Sequence, residues 1–192
     1  MSLTNFECLQ KKIDTAIETI EWKRLQSMFN VSEIIYMIGN GGNMAVASHG
    51  AADATRLTDK KVHCLDSQSH LTSIANDYGY DKIFEIWLES YADLDKKTLV
   101  IGFSGSGNSA NVLNGLYWAE DHGFHTTLIS GVKSTRANLS LNEVCFHNKY
   151  FHAHEILSIM SFYELIHGTG NMCPTIAAEN DRKYGVIGEK HV

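Results

Sequence analysis

Ser104, Ser106 and Ser109 stand within six residues of one another in the stretch TLVIGFSGSGNSAN, which runs from Thr98 to Asn111. Three hydroxyls are more than a turn needs. Gly105 and Gly107 let the backbone approach a ligand closely, and a helical pattern opening near Asn108 points free N–H groups at the same place. Hydroxyls, close backbone and a helix N-terminus together hold a phosphate, whereas a simple loop has use only for the glycines. His49 and Asp53 form a second chemically capable pair. Four residues apart, they share one face of a helix, as two metal ligands must. The chain has ten histidines, so such a pair also arises by chance, and the spacing alone leaves both readings open.

These side chains need elements to position them. The run EIIYMI, Glu33 to Ile38, reads as a buried strand that ends in Gly39-Asn40-Gly41-Gly42, and helical spacing resumes from Met44 to Leu57. The pattern recurs, with strands at Val62 to Leu65, Thr98 to Phe103, Thr126 to Ser130 and Glu143 to His147. Between and after them come helical stretches at His70 to Tyr91, interrupted near Gly79, then Asn111 to His122 and His154 to His167. Alternation of this kind predicts an α/β fold, a three-layer αβα sandwich around a central parallel sheet. Both glycine turns then fall at the carboxyl ends of strands, where such folds bind ligands. Ahead of the sheet, Ile13, Ile17, Ile20 and Leu25 mark residues 1–30 as one amphipathic helix, and 168–192 reads as a polar, aperiodic tail.

The chain has 192 residues, enough for one domain with appendages, and a formal net charge of −6 without a basic cluster, which argues against a nucleic-acid surface. No apolar run is long enough to span a membrane and the first residues carry no apolar signal core, so a cytoplasmic protein is expected. Cys8, Cys64, Cys145 and Cys173 are scattered and predict thiols rather than disulfides. GNGGN lacks the third spaced glycine of a dinucleotide fingerprint, which excludes a nicotinamide cofactor.

Three ordered motifs, GNGGN at Gly39 to Asn43, AND-Y-G-Y at Ala75 to Tyr80 and GFSGSGNSANV at Gly102 to Val112, resemble the sugar isomerase (SIS) domain, and within it the phosphoheptose isomerase group. The similarity spans roughly Asn5 to His167, with the SIS domain itself over 31–167. It implies a homotetramer that interconverts an aldose and a ketose phosphate such as sedoheptulose 7-phosphate, with active sites built between subunits. It also implies that Ser104, Ser106, Ser109 and Asn43 bind phosphate and that Asn40 and Asp77 lie near the sugar. Gly105 replaces a usual threonine, and Asn43 a usual serine. Asp53 stands at the position of the family's catalytic glutamate, Phe162 at that of its catalytic histidine, and His154 at that of a glutamine which joins a zinc site in some members.

Transferred to this chain, the resemblance makes Asp53 and His154 the catalytic candidates and His49, Asp53 and His154 a three-ligand zinc site with an open position. A phenyl ring at Phe162 cannot move protons. Two readings therefore stand side by side: an isomerase of a phosphosugar, and a non-catalytic SIS-domain protein that binds or senses a sugar phosphate.

Overall fold

The computed structural model describes residues 6–171 together with Thr175 and Ile176, so most of the tail expected over 168–192 lies outside the described residues. Five parallel strands form the sheet: β1 (Ile34–Gly39), β2 (Lys61–Cys64), β3 (Thr98–Ser104), β4 (His125–Ser130) and β5 (Asn142–Cys145), in the order β2-β1-β3-β4-β5. Among the described residues these helices accompany them: α1 (Phe6–Ile17), α2 (Ile20–Val31), α3 (Gly42–Leu57), α4 (Gln68–Tyr78), α5 (Ile83–Tyr91), α6 (Ala110–Asp121) and α7 (Phe151–Gly168).

All residues of β1 and β3 are buried, because both faces of the sheet are covered. Ile35 and Met37 of β1 and Leu99, Ile101 and Phe103 of β3 pack against α1, α2, α3 and α7. The alternate residues Ile34, Tyr36, Ile38 and Val100 pack against α5 and α6. This is the expected three-layer sandwich.

The leading segment departs from expectation. It is two helices, not one, because the Thr19 hydroxyl accepts from the Trp22 N–H at 3.2 Å and starts a new helix there. The fold then buries Trp22, Leu25 and Phe29 of α2 fully against the sheet layer. At the other expected break, Gly79 takes φ +93° and separates α4 from α5. Strand order reverses between β1 and β3, so their carboxyl ends part and leave a crevice at the sheet's switch point.

Candidate active site

Three segments distant in sequence meet at that switch point. Asn40, just past β1, and Asn111, in the first turn of α6, exchange amide hydrogen bonds, each Nδ2 donating to the other's Oδ1 at 2.8 Å. The Tyr80 hydroxyl donates to Asn40 Oδ1 at 3.0 Å. Each of the three residues belongs to a different motif. Asp77, by contrast, is exposed near the end of α4 and accepts a hydrogen bond from Asn76.

The serine loop lies beside this knot. Ser104 and Ser109 face each other with their hydroxyls 3.0 Å apart, and the Ser106 hydroxyl accepts from the Asn108 N–H at 3.2 Å. Ser109 precedes α6 without capping it by its side chain; the Val112 N–H is taken by Asn111 Oδ1 at 3.0 Å, and the Ala110 and Asn111 N–H groups remain for a ligand at the loop. Gly107 is required at φ +69°, because a Cβ there would stand 2.9 Å from Val132 O and 3.0 Å from Ser134. The loop after β4 braces it: Asn108 Oδ1 accepts from the Ser134 hydroxyl at 3.0 Å and the Thr135 N–H at 3.1 Å. Buried Glu143 holds that brace by accepting from the Ser134 N–H at 2.8 Å and the Ser130 hydroxyl at 2.6 Å. Sequence reasoning missed Glu143, since nothing in the spacing of β5 distinguishes it.

A cavity of about 130 Å³ opens next to the loop, lined by Gly105, Ser106, Val132, Asn148, Lys149, Tyr150, Phe151 and His154. His154 is 1% exposed, and its Nδ1 has no hydrogen-bond partner among the described residues. Burial lowers its pKa to about 4, so the ring is neutral at physiological pH. Gly105 makes room for it: a Cβ there would be 3.1 Å from the Phe151 ring and 3.5 Å from the His154 ring. Asn43 is buried at the opening of α3, and its Oδ1 has no partner among the described residues. The carboxylate of Glu155 fills the space where a Cβ on Gly42 would go, so α7 also touches the first glycine turn.

His49 and Asp53 do share a face of α3, with Nε2 3.6 Å from Oδ2. What joins them is Tyr163 of α7, whose hydroxyl donates to Asp53 Oδ2 at 2.6 Å and lies 3.0 Å from His49 Nε2. Arg56 occupies the other carboxylate oxygen, Oδ1, at 3.1 Å. Burial pushes the Asp53 pKa up, but the hydrogen bonds from Tyr163 and Arg56 and the Arg56 charge outweigh it and hold the group below the ordinary range. Phe162 points the other way, into the core, edge-on to Phe29 at 6.3 Å and against Gly50, where a Cβ would come within 3.2 Å of its ring.

Among curated proteins, the phosphoheptose isomerase of Aliarcobacter butzleri is 36% identical over 152 residues, covering 74% of this chain and 77% of the relative. The chain belongs to the phosphoheptose isomerase family. The corresponding protein of Helicobacter pylori strain Shi470 is 37% identical over 138 residues, 67% of this chain and 70% of its own length. Among solved structures, the phosphoheptose isomerase of Neisseria gonorrhoeae superposes with a TM-score of 0.75 over 84% of this chain and 91% of that one, at 20% identity, which establishes the shared fold. No family model matches the chain.

Family membership does not bring the expected zinc ligands together within one chain. Among the described residues, no three His, Cys, Asp or Glu side chains are grouped to hold a metal ion. The reason is the geometry of α7. His154 and Tyr163 are nine residues apart, half a turn round the helix and about 13 Å along it, so the residue beside Asp53 cannot be His154. His49, Asp53 and His154 therefore do not fit a three-ligand site in one subunit.

Proposed function

We propose that this protein is an aldose–ketose isomerase acting on a phosphorylated sugar of the sedoheptulose 7-phosphate class, in the cytoplasm and as a homotetramer. The observation that carries the reading is the junction of Asn40, Tyr80 and Asn111 beside the facing hydroxyls of Ser104 and Ser109. It supports a phosphate cradle at the switch point of the sheet. Phosphate oxygens are acceptors, and the cradle offers the hydroxyls of Ser104, Ser106 and Ser109 with the open N–H groups of α6. Lys149 on the cavity wall adds a positive charge.

Isomerisation through an enediol needs a group that removes a carbon-bound proton and returns it to the neighbouring carbon. The group supporting this role is the His49–Tyr163–Asp53 cluster. The cluster lies about 13 Å along α7 from His154, which lines the cavity beside the cradle of its own chain, and the 130 Å³ cavity is well below the roughly 300 Å³ of a complete small-molecule site. A cradle from one subunit and a proton-handling cluster from another resolve both facts. α4 has no fully buried residue in the isolated chain and offers surface for such contacts. Four scattered cysteines suit a reducing compartment.

The binding-only reading is not favoured, since the relatives above are named as isomerases. Among solved structures, the Vibrio vulnificus NanR protein complexed with ManNAc-6P shares the fold at a TM-score of 0.57. An isomerisation assay on a panel of ketose phosphates, run beside calorimetric binding of the same sugars, tests the proposal.

A further inference from the structure

We infer that the proton-accepting atom of this enzyme is His49 Nδ1, and that Tyr163 is the positioning residue that aims it; the inference rests on the isomerase reading above. Asp53 is poorly placed to take a proton from carbon. Both of its oxygens are engaged, Oδ1 by Arg56 and Oδ2 by Tyr163, and its side chain is only 15% exposed. His49 is the open member of the cluster, with a side chain 61% exposed.

The hydrogen-bond directions follow from the chemistry. An ionised carboxylate only accepts, so the Tyr163 O–H must donate to Asp53 at 2.6 Å. The phenol has one proton, and that donation leaves its oxygen an acceptor toward His49. The contact at 3.0 Å therefore requires the proton of the neutral imidazole to sit on Nε2. Nδ1 is then the lone-pair nitrogen, and none of the described hydrogen bonds uses it. The ring is held in this orientation by its edge-on contact with Tyr163, centroids 6.4 Å apart.

In the reaction, Nδ1 takes the proton from the carbon next to the substrate carbonyl, and the electron pair of that C–H bond passes into the enediolate. The imidazolium that forms is stabilised through the phenol by the Asp53 carboxylate, 3.6 Å from Nε2. The imidazolium then returns a proton to the adjacent carbon while the hydroxyl proton passes from one substrate oxygen to the other through water, which restores neutral imidazole and leaves no net charge. Phe162, buried in the core, takes no part.

The test combines nitrogen-15 NMR of histidine-labelled full-length protein with kinetics of Tyr163→Phe and His49→Gln. The expected result is an Nε2–H tautomer for His49 in the wild type, and a shift toward mixed tautomers in Tyr163→Phe. With it, kcat should fall at least tenfold at little-changed KM, and His49→Gln should lose about 10²-fold or more. An Nδ1–H tautomer in the wild type, or an unchanged kcat in Tyr163→Phe, overturns the inference. If the tautomer behaves as expected but the wild type turns over no ketose phosphate, the isomerase reading fails and the orienting role of Tyr163 stands.

Discussion

Asn40 and Asn111 bind each other through both amides, closing a two-bond ring between the turn after β1 and the start of α6. The ring fixes the spacing of the two glycine loops across the switch point. Asn111 is 2% exposed, so Asn111→Ala leaves the Asn40 amide short of partners. The variant should lose about 1–3 kcal/mol of stability and bind sugar phosphates more weakly, as urea denaturation and calorimetry can check.

The serine loop predicts a binding phenotype without loss of fold. Ser104→Ala and Ser106→Ala together should weaken sugar-phosphate binding at least tenfold, or about 1.4 kcal/mol. Unchanged affinity by calorimetry would remove this loop as the cradle.

Phe162 fills the gap left by Gly50 and meets Phe29, so replacing it does not restore a catalytic group. Phe162→His should cost roughly 2–4 kcal/mol through lost packing and an unsatisfied buried ring nitrogen, and should not raise turnover. Denaturant midpoints and kcat together separate these effects. An active, stable variant would show that the position can reach substrate.

His154 predicts an acid-sensitive fold. Its folded pKa is lowered by burial to about 4 from 6.5, so as pH falls below 6.5 the unfolded chain takes up a proton that the native state refuses. No stability is lost to this group above about pH 7, and on the order of 3 kcal/mol is lost by about pH 4. In His154→Gln, which cannot titrate, urea midpoints should fall less steeply across that range. An identical slope would place the acid sensitivity elsewhere.

Much of this was legible in the chain. Strands β1 and β3 show as apolar runs because both faces are covered, and the glycine turns show where they end. The i,i+4 relation of His49 and Asp53 is a property of one helix and needs no tertiary knowledge. Tyr163 was not legible. It lies 110 residues from Asp53 in sequence, between Phe162 and Glu164 on α7, and the packing of α7 on α3 brings it to Asp53. The same packing disperses the expected zinc ligands: residue types suggested a set of three, and the rise of the helix separates His154 from the other two. The break at Thr19 is hidden for a local reason, since a capping hydroxyl between Glu18 and Ile20 leaves the apolar spacing almost undisturbed.

A site shared between subunits makes a further prediction. Ser104→Ala/Ser106→Ala chains and His49→Gln chains should each be nearly inactive alone. Mixed and reassembled, they should recover up to about a quarter of wild-type activity, because some sites pair an intact cradle with an intact His49. Light scattering of each parent should report a tetramer. No recovery from efficiently mixed oligomers would place both parts of the site in one chain.

The most direct measurement of the central claim is NMR of sedoheptulose 7-phosphate incubated with the purified protein in deuterium oxide. The account predicts conversion to an aldose phosphate, with deuterium entering at the carbon that was the ketose carbonyl and, on reversal, at the neighbouring hydroxymethyl carbon. Tight binding of the sugar phosphate with no conversion and no deuterium uptake, repeated across other ketose phosphates, would contradict it.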